Sequence, residues 1–383
     1  MTITIAPTFP RAASRITDED AMSLYRNLSI HELGRRAHEI TMRLHPEAYR
    51  TYVVDRNINY ANYCTARCIF CNFKSDPPGM DTGRKDLPDG YVLSFEEIGR
   101  KIEELIAIGG TQILMQGGLV PAEMLPFEWY LDLLRFVRRE YPRIHIHAFS
   151  PPEIHAFHQV FGMSVCDVLS RLQEAGLDSI PGGGAEILVD RVRNKIAQGK
   201  TNTEEYLSVM REAHRIGMRT SVTMMFGHIE TIPERIEHLR RIRDLQDETG
   251  GFTAFICWTF QPGTTPLGRI PQFDAGCTDP PDGKHLVLAD ATEYLRMSAL
   301  SRIYLDNISN VQSSWVTQGV KVGQLALFFG ANDMGSVMME ENVVSAAGTT
   351  YCLTEREIRE AITRAGWIPR KRDFYYRLAD ESA

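Results

Sequence analysis

Apolar positions along this chain alternate between two periods. From Asp18 to about His45 they recur at helical spacing (Ala21, Leu24, Leu28, then Leu33, Ala37, Ile40, Leu44). A break near Ser29 predicts two short helices, with Ser29 as N-cap and Glu32 in capping-box position. Residues before 17 carry no periodic signal and read as an irregular tail. Thr51 to Asn59 then alternates as a strand does.

Beyond the Pro- and Gly-punctuated stretch Asp76–Gly90, helix and strand patterns take turns. Helical Ser94–Ile108 precedes strand-like Thr111–Met115, and Phe127–Glu140 precedes Ile144–Phe149. The rhythm continues with Val165–Ala175 and Asp178–Ile180, Thr203–Ile216 and Thr220–Phe226, then Ile232–Glu248 and Phe252–Phe260. Ala289–Tyr304 precedes Asn307–Val316, Val320–Phe329 precedes a short strand near Val337–Met339, and helical Glu355–Ala365 follows. Such alternation means repeated βα units on a parallel sheet, and about eight units fit a (β/α)8 TIM-type barrel. The expected organisation is α/β: an N-terminal tail and helices over 1–50, the barrel over 51–370 with a helical extension at its C-terminal end, and a C-terminal tail over 371–383. The inserts Asp76–Gly90 and Pro271–Lys284 read as surface loops.

Composition narrows the class. With 43% hydrophobic residues the chain can bury a large core, and its net charge of −7 is spread without a basic block. Neither nucleic acid nor a membrane surface is expected as a partner. No apolar run approaches membrane-spanning length, and MTITIAPTFPRAASR is not a signal peptide. Seven cysteines, an odd number concentrated at one place, argue for a reduced, cytoplasmic protein.

That place is Cys64-x3-Cys68-x2-Cys71. Thiolates this close read as ligands of one soft metal centre: zinc, copper(I) or an iron–sulfur cluster. A structural zinc site closes with four ligands, commonly in paired C-x2-C units, and no second pair exists here. Three ligands on a four-iron cluster would leave one iron open to a reactant. With Phe70 before the third cysteine, the motif resembles that of the radical S-adenosylmethionine (SAM) enzymes.

In a barrel, function gathers at the C-terminal strand ends. Gln116-Gly117-Gly118 follows the second strand, and glycines there permit close approach to a ligand. Ser150 follows the third, and Gly182-Gly183-Gly184-Ala185-Glu186 follows the fourth without the lysine and hydroxyl of a phosphate loop. Glu186 would accept hydrogen bonds from a ribose diol or an amine, or simply sit at a helix N-terminus. His145 and His147 share one face of the third strand, His147 as a pocket residue and His145 equally as a core residue. His228 and Glu230 offer an acid–base pair after the fifth strand.

The resemblance extends along the chain. GGTQILMQGGL, IHIHAFSPPEI, LDSIPGGGAEIL, TMMFGHIET and FGANDMGSVMMEENVVSAAG are similar to segments of the dehypoxanthine futalosine cyclases, radical SAM enzymes of the futalosine route to menaquinone. Aminofutalosine synthases and deazaflavin-forming radical SAM enzymes are sister families. The tryptophan-bearing FICWTFQP and QSSWVTQG favour the cyclases. The resemblance implies a [4Fe–4S] cluster on Cys64, Cys68 and Cys71, with SAM contacted by Phe70, Gln116, Gly117, Gly118, Ser150 and Glu186. It implies a 5′-deoxyadenosyl radical that takes hydrogen from the ribose C4′ of dehypoxanthine futalosine, followed by closure onto the benzoate ring. His147, Trp258, Ser313, Ser314, Trp315, Thr317 and Gln318 are the expected substrate contacts, with Tyr63, His228 and Glu230 as candidates for proton removal. An electron-donor protein such as flavodoxin or ferredoxin is the implied partner.

Overall fold

The computed structural model describes residues 15–272, 285–340, 342, 345–348 and 352–379. Residues 1–14 of the expected N-terminal tail and most of the Pro271–Lys284 insert lie outside them, while Arg15, at the end of that tail, pairs with Asp247 and Asp306.

One parallel sheet organises the fold. Tyr49–Val53 and Asp55–Asn59 are two halves of a single extended run with different neighbours. The first half pairs with Asp333–Ser336 (Thr51 opposite Asp333), and the second pairs with Gln112–Gln116 (Asp55 opposite Gln112). Between them the sheet passes in order through His145–Ala148, Ser179–Ile180, Arg219–Phe226, Phe252–Thr259 and Asn310–Gln312. It therefore returns to the strand it began on, as a barrel does. Of the ten strand segments, two make the first strand and Ile368–Lys371 is an addition, leaving eight in the ring.

Helix Phe127–Glu140 and helix Val165–Ala175 form as their periodicity indicates, with Leu131, Leu134, Val168 and Leu172 buried against the sheet. The N-terminal helices are Asp18–Asn27 and Ile30–Leu44. Ser29 Oγ caps the second by accepting from Glu32 N, but the Glu32 carboxylate does not complete a capping box; Arg35 and Arg36 hold it. Leu33 and Ala37 pack on Ala299 of helix Ala291–Tyr304.

Several elements depart from the periodicity. Ser150-Pro151-Pro152-Glu153 opens a helix, Pro151–Phe161, because proline is tolerated in the first turn and Ser150 and Glu153 form a capping box. A further helix runs over Asp190–Ile196. The seventh strand is only Asn310–Gln312; Trp315–Gln318 is a single helical turn ended by Gly319 at φ +81°. The eighth strand lies at Asp333–Ser336, upstream of Val337–Met339. After helix Glu355–Arg364, Ile368–Lys371 adds beside Tyr49–Tyr52, and the segment expected as a tail enters the barrel's N-terminal end. There Arg372 and Phe374 are buried, with the Arg372 guanidinium bound to both oxygens of Asp333 at 2.6 and 2.8 Å.

Candidate active site

A cavity of about 400 Å³ runs down the barrel axis from the cysteine loop to this C-terminal segment. The loop leaves the first strand and is pinned on three sides. Cys64 N donates to Ser75 O (3.0 Å), Ile69 N to Ile196 O (2.9 Å), and the Cys64 sulfur accepts from Leu119 N (3.3 Å). Arg84, from the Asp76–Gly90 insert, donates to Cys71 O and Asn72 Oδ1, each at 2.7 Å. Cys64, Cys68 and Cys71 all face the cavity. Among the described residues, no three His, Cys, Asp or Glu side chains gather closely enough for one metal ion. A multi-iron cluster, whose ligands stand on different irons, needs no such convergence.

Burial pushes the Cys68 thiol up to about 12 and raises Cys64, while Lys200 opposes both shifts. Metal ligation requires thiolates, and Lys200 is the cation placed to favour them. Its ammonium lies 3.2 Å from Glu186 Oε1 and 5.3 Å from the Phe70 ring centre. Burial alone would lower the Lys200 pKa, but Glu186 and the three cysteines reverse that. Glu186 holds a left-handed backbone (φ +38°), and its Oε2 is buried without a hydrogen-bond partner among the described residues. An acceptor so placed suits an amine or a sugar hydroxyl.

Gly117 and Gly118 give the loop its room. A Cβ on Gly118 would stand 2.1 Å from Tyr63 O and 2.8 Å from Cys64 Cβ; one on Gly117 would meet the Tyr60 ring at 2.4 Å. Their amide hydrogens are already used, Gly117 by Glu153 Oε1 (3.0 Å) and Gly118 by Ala61 O (3.0 Å). Glu153 also accepts from the Tyr60 hydroxyl (2.7 Å) and from both the amide and hydroxyl of Ser150 (2.8 and 2.6 Å). It ties the glycine turn, the aromatic wall and the third strand end into one unit. Gln116 and Ser150 line the cavity as expected.

Another part of the wall, from the sixth and seventh strands, carries Trp258, Ser313, Ser314, Trp315 and Thr317. Trp315 is buried and donates its indole N–H to Ser336 O (3.0 Å). Ser313 Oγ donates to Gly323 O (3.2 Å), and Ser314 Oγ lies 3.2 Å from Thr317 Oγ1. His147 lines the cavity lower down, near Asp55, Gln112, Arg372, Phe374 and Tyr376.

Four expected site residues lie elsewhere. Gln318 does not line the cavity; its amide donates to Thr259 Oγ1 (2.6 Å). Tyr63 turns away, its ring against Gly90. His228 and Glu230 are buried behind the fifth strand end, where Glu230 accepts from Gly227 N, His228 N and Arg235 Nε (2.6, 2.9 and 2.8 Å). A turn closing on its own amides and a neighbouring arginine satisfies that carboxylate without substrate. Lys200, Glu153, Asp55 and the C-terminal trio Arg372, Phe374 and Tyr376 were not expected. Only Glu153 had a sequence signal, the capping box of Ser150 and Glu153 before an apolar run.

This arrangement, a parallel barrel with three cysteines at the mouth, agrees with the chain's relatives. Residues 58–242 match the Radical SAM superfamily and residues 249–383 match the CofH/MqnC C-terminal region, and the chain belongs to the radical SAM superfamily. Enzymes of that superfamily use a [4Fe–4S] cluster and SAM. More particularly, the chain is 44% identical to a cyclic dehypoxanthine futalosine synthase of Halalkalibacterium halodurans, over 95% of this chain and 91% of that one. It is 41% identical to the 5-amino-6-(D-ribitylamino)uracil–L-tyrosine 4-hydroxyphenyl transferase of Archaeoglobus fulgidus, over 86% and 89%. The fold matches the hydrogenase maturase HydG of Carboxydothermus hydrogenoformans with a TM-score of 0.69 at 15% identity, over 95% of this chain and 78% of that one. Among the described residues no helix is long and apolar enough to cross a membrane.

Proposed function

We propose that this enzyme cyclises dehypoxanthine futalosine in menaquinone biosynthesis. The observation that carries the reading is the chain's likeness to the synthase along nearly its whole length, including the C-terminal region that supplies Trp258, Trp315 and the hydroxyls of the cavity wall. Cys64, Cys68 and Cys71 would hold the [4Fe–4S] cluster, with Phe70, Gln116 to Gly118, Ser150 and Glu186 around SAM. When bound, cluster and SAM supply a 5′-deoxyadenosyl radical.

The chain's own residues place the substrate and keep water out. Trp258 and Trp315 flank the benzoate ring, and the hydroxyls of Ser314 and Thr317 meet its carboxylate. Phe374 and Arg372 close the far end, so a primary radical meets substrate rather than solvent. A flavodoxin- or ferredoxin-type protein in the cytoplasm supplies the reducing electron.

The test is isotopic. Reduced enzyme given SAM and dehypoxanthine futalosine deuterated at C4′ releases 5′-deoxyadenosine carrying that deuterium, with a product two hydrogens lighter than unlabelled substrate. Turnover of tyrosine with 5-amino-6-(D-ribitylamino)uracil, with none of the futalosine, overturns the reading in favour of the transferase. An adenosine adduct on an enolpyruvyl benzoate, without free 5′-deoxyadenosine, overturns it in favour of aminofutalosine synthase.

A further inference from the structure

His147 and His145 share one serine. Ser179 Oγ lies 2.7 Å from His147 Nδ1 and 2.7 Å from His145 Nε2. His147 lines the cavity and Ser179 is fully buried, whereas the His145 side chain is 17% exposed at the barrel's N-terminal end. Beyond it stands Asp178, whose Oδ2 is 3.9 Å from His145 Nδ1. Phe374 lies against both imidazoles, at ring-centre distances of 4.8 and 4.7 Å. A line of groups, hydrogen-bonded from His147 through Ser179 to His145 and then 3.9 Å from Asp178, thus leads from the lower end of the cavity to the outside.

We propose that His147, Ser179 and His145 form a proton-release relay for the last step of cyclisation, an inference that rests on the cyclase reading above. Closure onto the benzoate ring leaves a hydrogen on a tetrahedral carbon of a radical ring. His147 Nε2 takes it as a proton, and the C–H electron pair stays in the ring as an arene radical anion. That anion passes one electron to a one-electron acceptor of the iron–sulfur or flavin class, and aromaticity returns. The proton gained at Nε2 is balanced by Nδ1–H moving to Ser179, the serine proton moving to His145 Nε2, and His145 Nδ1–H passing to Asp178 or water.

One hydroxyl between two imidazoles donates to one and accepts from the other. If Ser179 donates to His145 Nε2, His147 carries its hydrogen on Nδ1 and presents a bare Nε2 to the cavity. His145 then carries Nδ1–H toward Asp178. This arrangement runs outward, and it agrees with the Asp178 carboxylate, which Arg138 Nη2 (2.5 Å) and Ile146 N (2.7 Å) hold in place. Near Nε2, Ser221 Oγ lies at 3.5 Å, a long contact from a hydroxyl that also accepts from Gly182 N (3.1 Å).

Burial, aided by nearby cations, keeps both rings neutral at rest. Burial, then His145 and Arg372, hold His147 well below the usual histidine range. Burial pushes His145 down to about 4, with Arg138 and Arg377 lowering it and Asp178 and Asp373 opposing. A proton placed on the inner ring is therefore unstable and moves outward, toward the two carboxylates.

Two variants test this without altering the cavity wall. Ser179→Ala removes the bridge, and His145→Phe keeps the ring stacked on Phe374 but cannot carry a proton. With C4′-deuterated substrate, both are expected to release deuterated 5′-deoxyadenosine as the wild type does, while cyclised product per 5′-deoxyadenosine falls at least about tenfold. Before cluster loading, 15N-histidine NMR of the wild type should show both rings as Nδ1–H tautomers. Wild-type product per 5′-deoxyadenosine in either variant overturns the relay, as does an Nε2–H tautomer at His147. Wild-type protein that transfers no deuterium sinks the cyclase reading itself, a result distinguishable from both.

Discussion

Lys200 and Glu186 form an ion pair of 3.2 Å within the cavity wall that the three cysteines share. Glu186 is almost wholly buried, and its remaining cationic neighbour, Arg193, stands 3.8 Å away while donating to Ala185 O and Thr201 O. Removing one partner of a buried pair strands the other's charge. Lys200→Met is expected to destabilise the cluster-free protein by about 3 kcal/mol, measured by urea unfolding. Lys200→Met with Glu186→Gln should recover most of that loss. Additive single effects would show that the pair is not coupled.

Gly118 is a steric requirement. Its missing Cβ would overlap Tyr63 O, a backbone atom that cannot rotate away, and crowd Cys64. Gly118→Ala should therefore displace the cysteine loop while leaving the barrel folded. After anaerobic reconstitution, iron content and absorbance near 400 nm should fall well below wild type, with circular dichroism unchanged. Full iron loading would refute the argument.

The cluster ligands themselves separate from the other cysteines. Replacing Cys64, Cys68 or Cys71 by alanine should abolish iron binding and SAM cleavage. Replacing Cys166, Cys257, Cys277 or Cys352 should leave iron binding intact. A required fourth cysteine would occupy the iron position that the cosubstrate needs.

Asp55 carries a pH signature. Burial raises its carboxyl to about 6, against the hydrogen bonds from Ser336 and Gln112. A carboxyl raised on folding favours the folded state when protonated, so its contribution is full below about pH 4 and is lost as pH rises to about 6. The loss amounts to roughly 3 kcal/mol. Asp55→Asn should remove this slope and raise the melting temperature at pH 8 but not at pH 4. Gln112 Oε1, buried and without a hydrogen-bond partner among the described residues, can accept from the new amide. Parallel wild-type and variant pH curves would count against it.

Glu230 belongs to stability. Burial would raise its pKa, but His228 and Arg235 outweigh that and hold it far below the usual carboxylate range. Its contribution is present above about pH 4.5 and lost as pH falls. Glu230→Gln should cost about 3 kcal/mol at pH 7, while SAM cleavage per folded, iron-loaded molecule stays near wild type. A large loss of turnover in well-folded protein would return Glu230 to the chemistry.

The cysteine motif and the βα rhythm were legible because both are local. Ligand spacing fixes three thiols within eight residues, and side-chain periods of 3.6 and 2 reveal helices and strands without any distant contact. Trp258 near the end of the sixth strand, and the hydroxyls and Trp315 after the seventh, were legible for the same reason, since a barrel sends its strand ends to one mouth. Direction beyond a strand end was not. Tyr63 packs its ring over Gly90, where the missing side chain leaves room, and Glu230 folds back onto Gly227 N and Arg235, because a backbone amide and a buried arginine satisfy its carboxylate. Nor could spacing bring Lys200 to Glu186, Ser179 between His145 and His147, or Arg372 to Asp333. Ser179 meets His147 because the third and fourth strands pair in that register, Lys200 reaches Glu186 where the chain folds back after the fourth strand, and Arg372 reaches Asp333 because the C-terminal segment adds beside the first strand. Only the folded chain decides them, because strand register and chain reversal set which buried groups face one another.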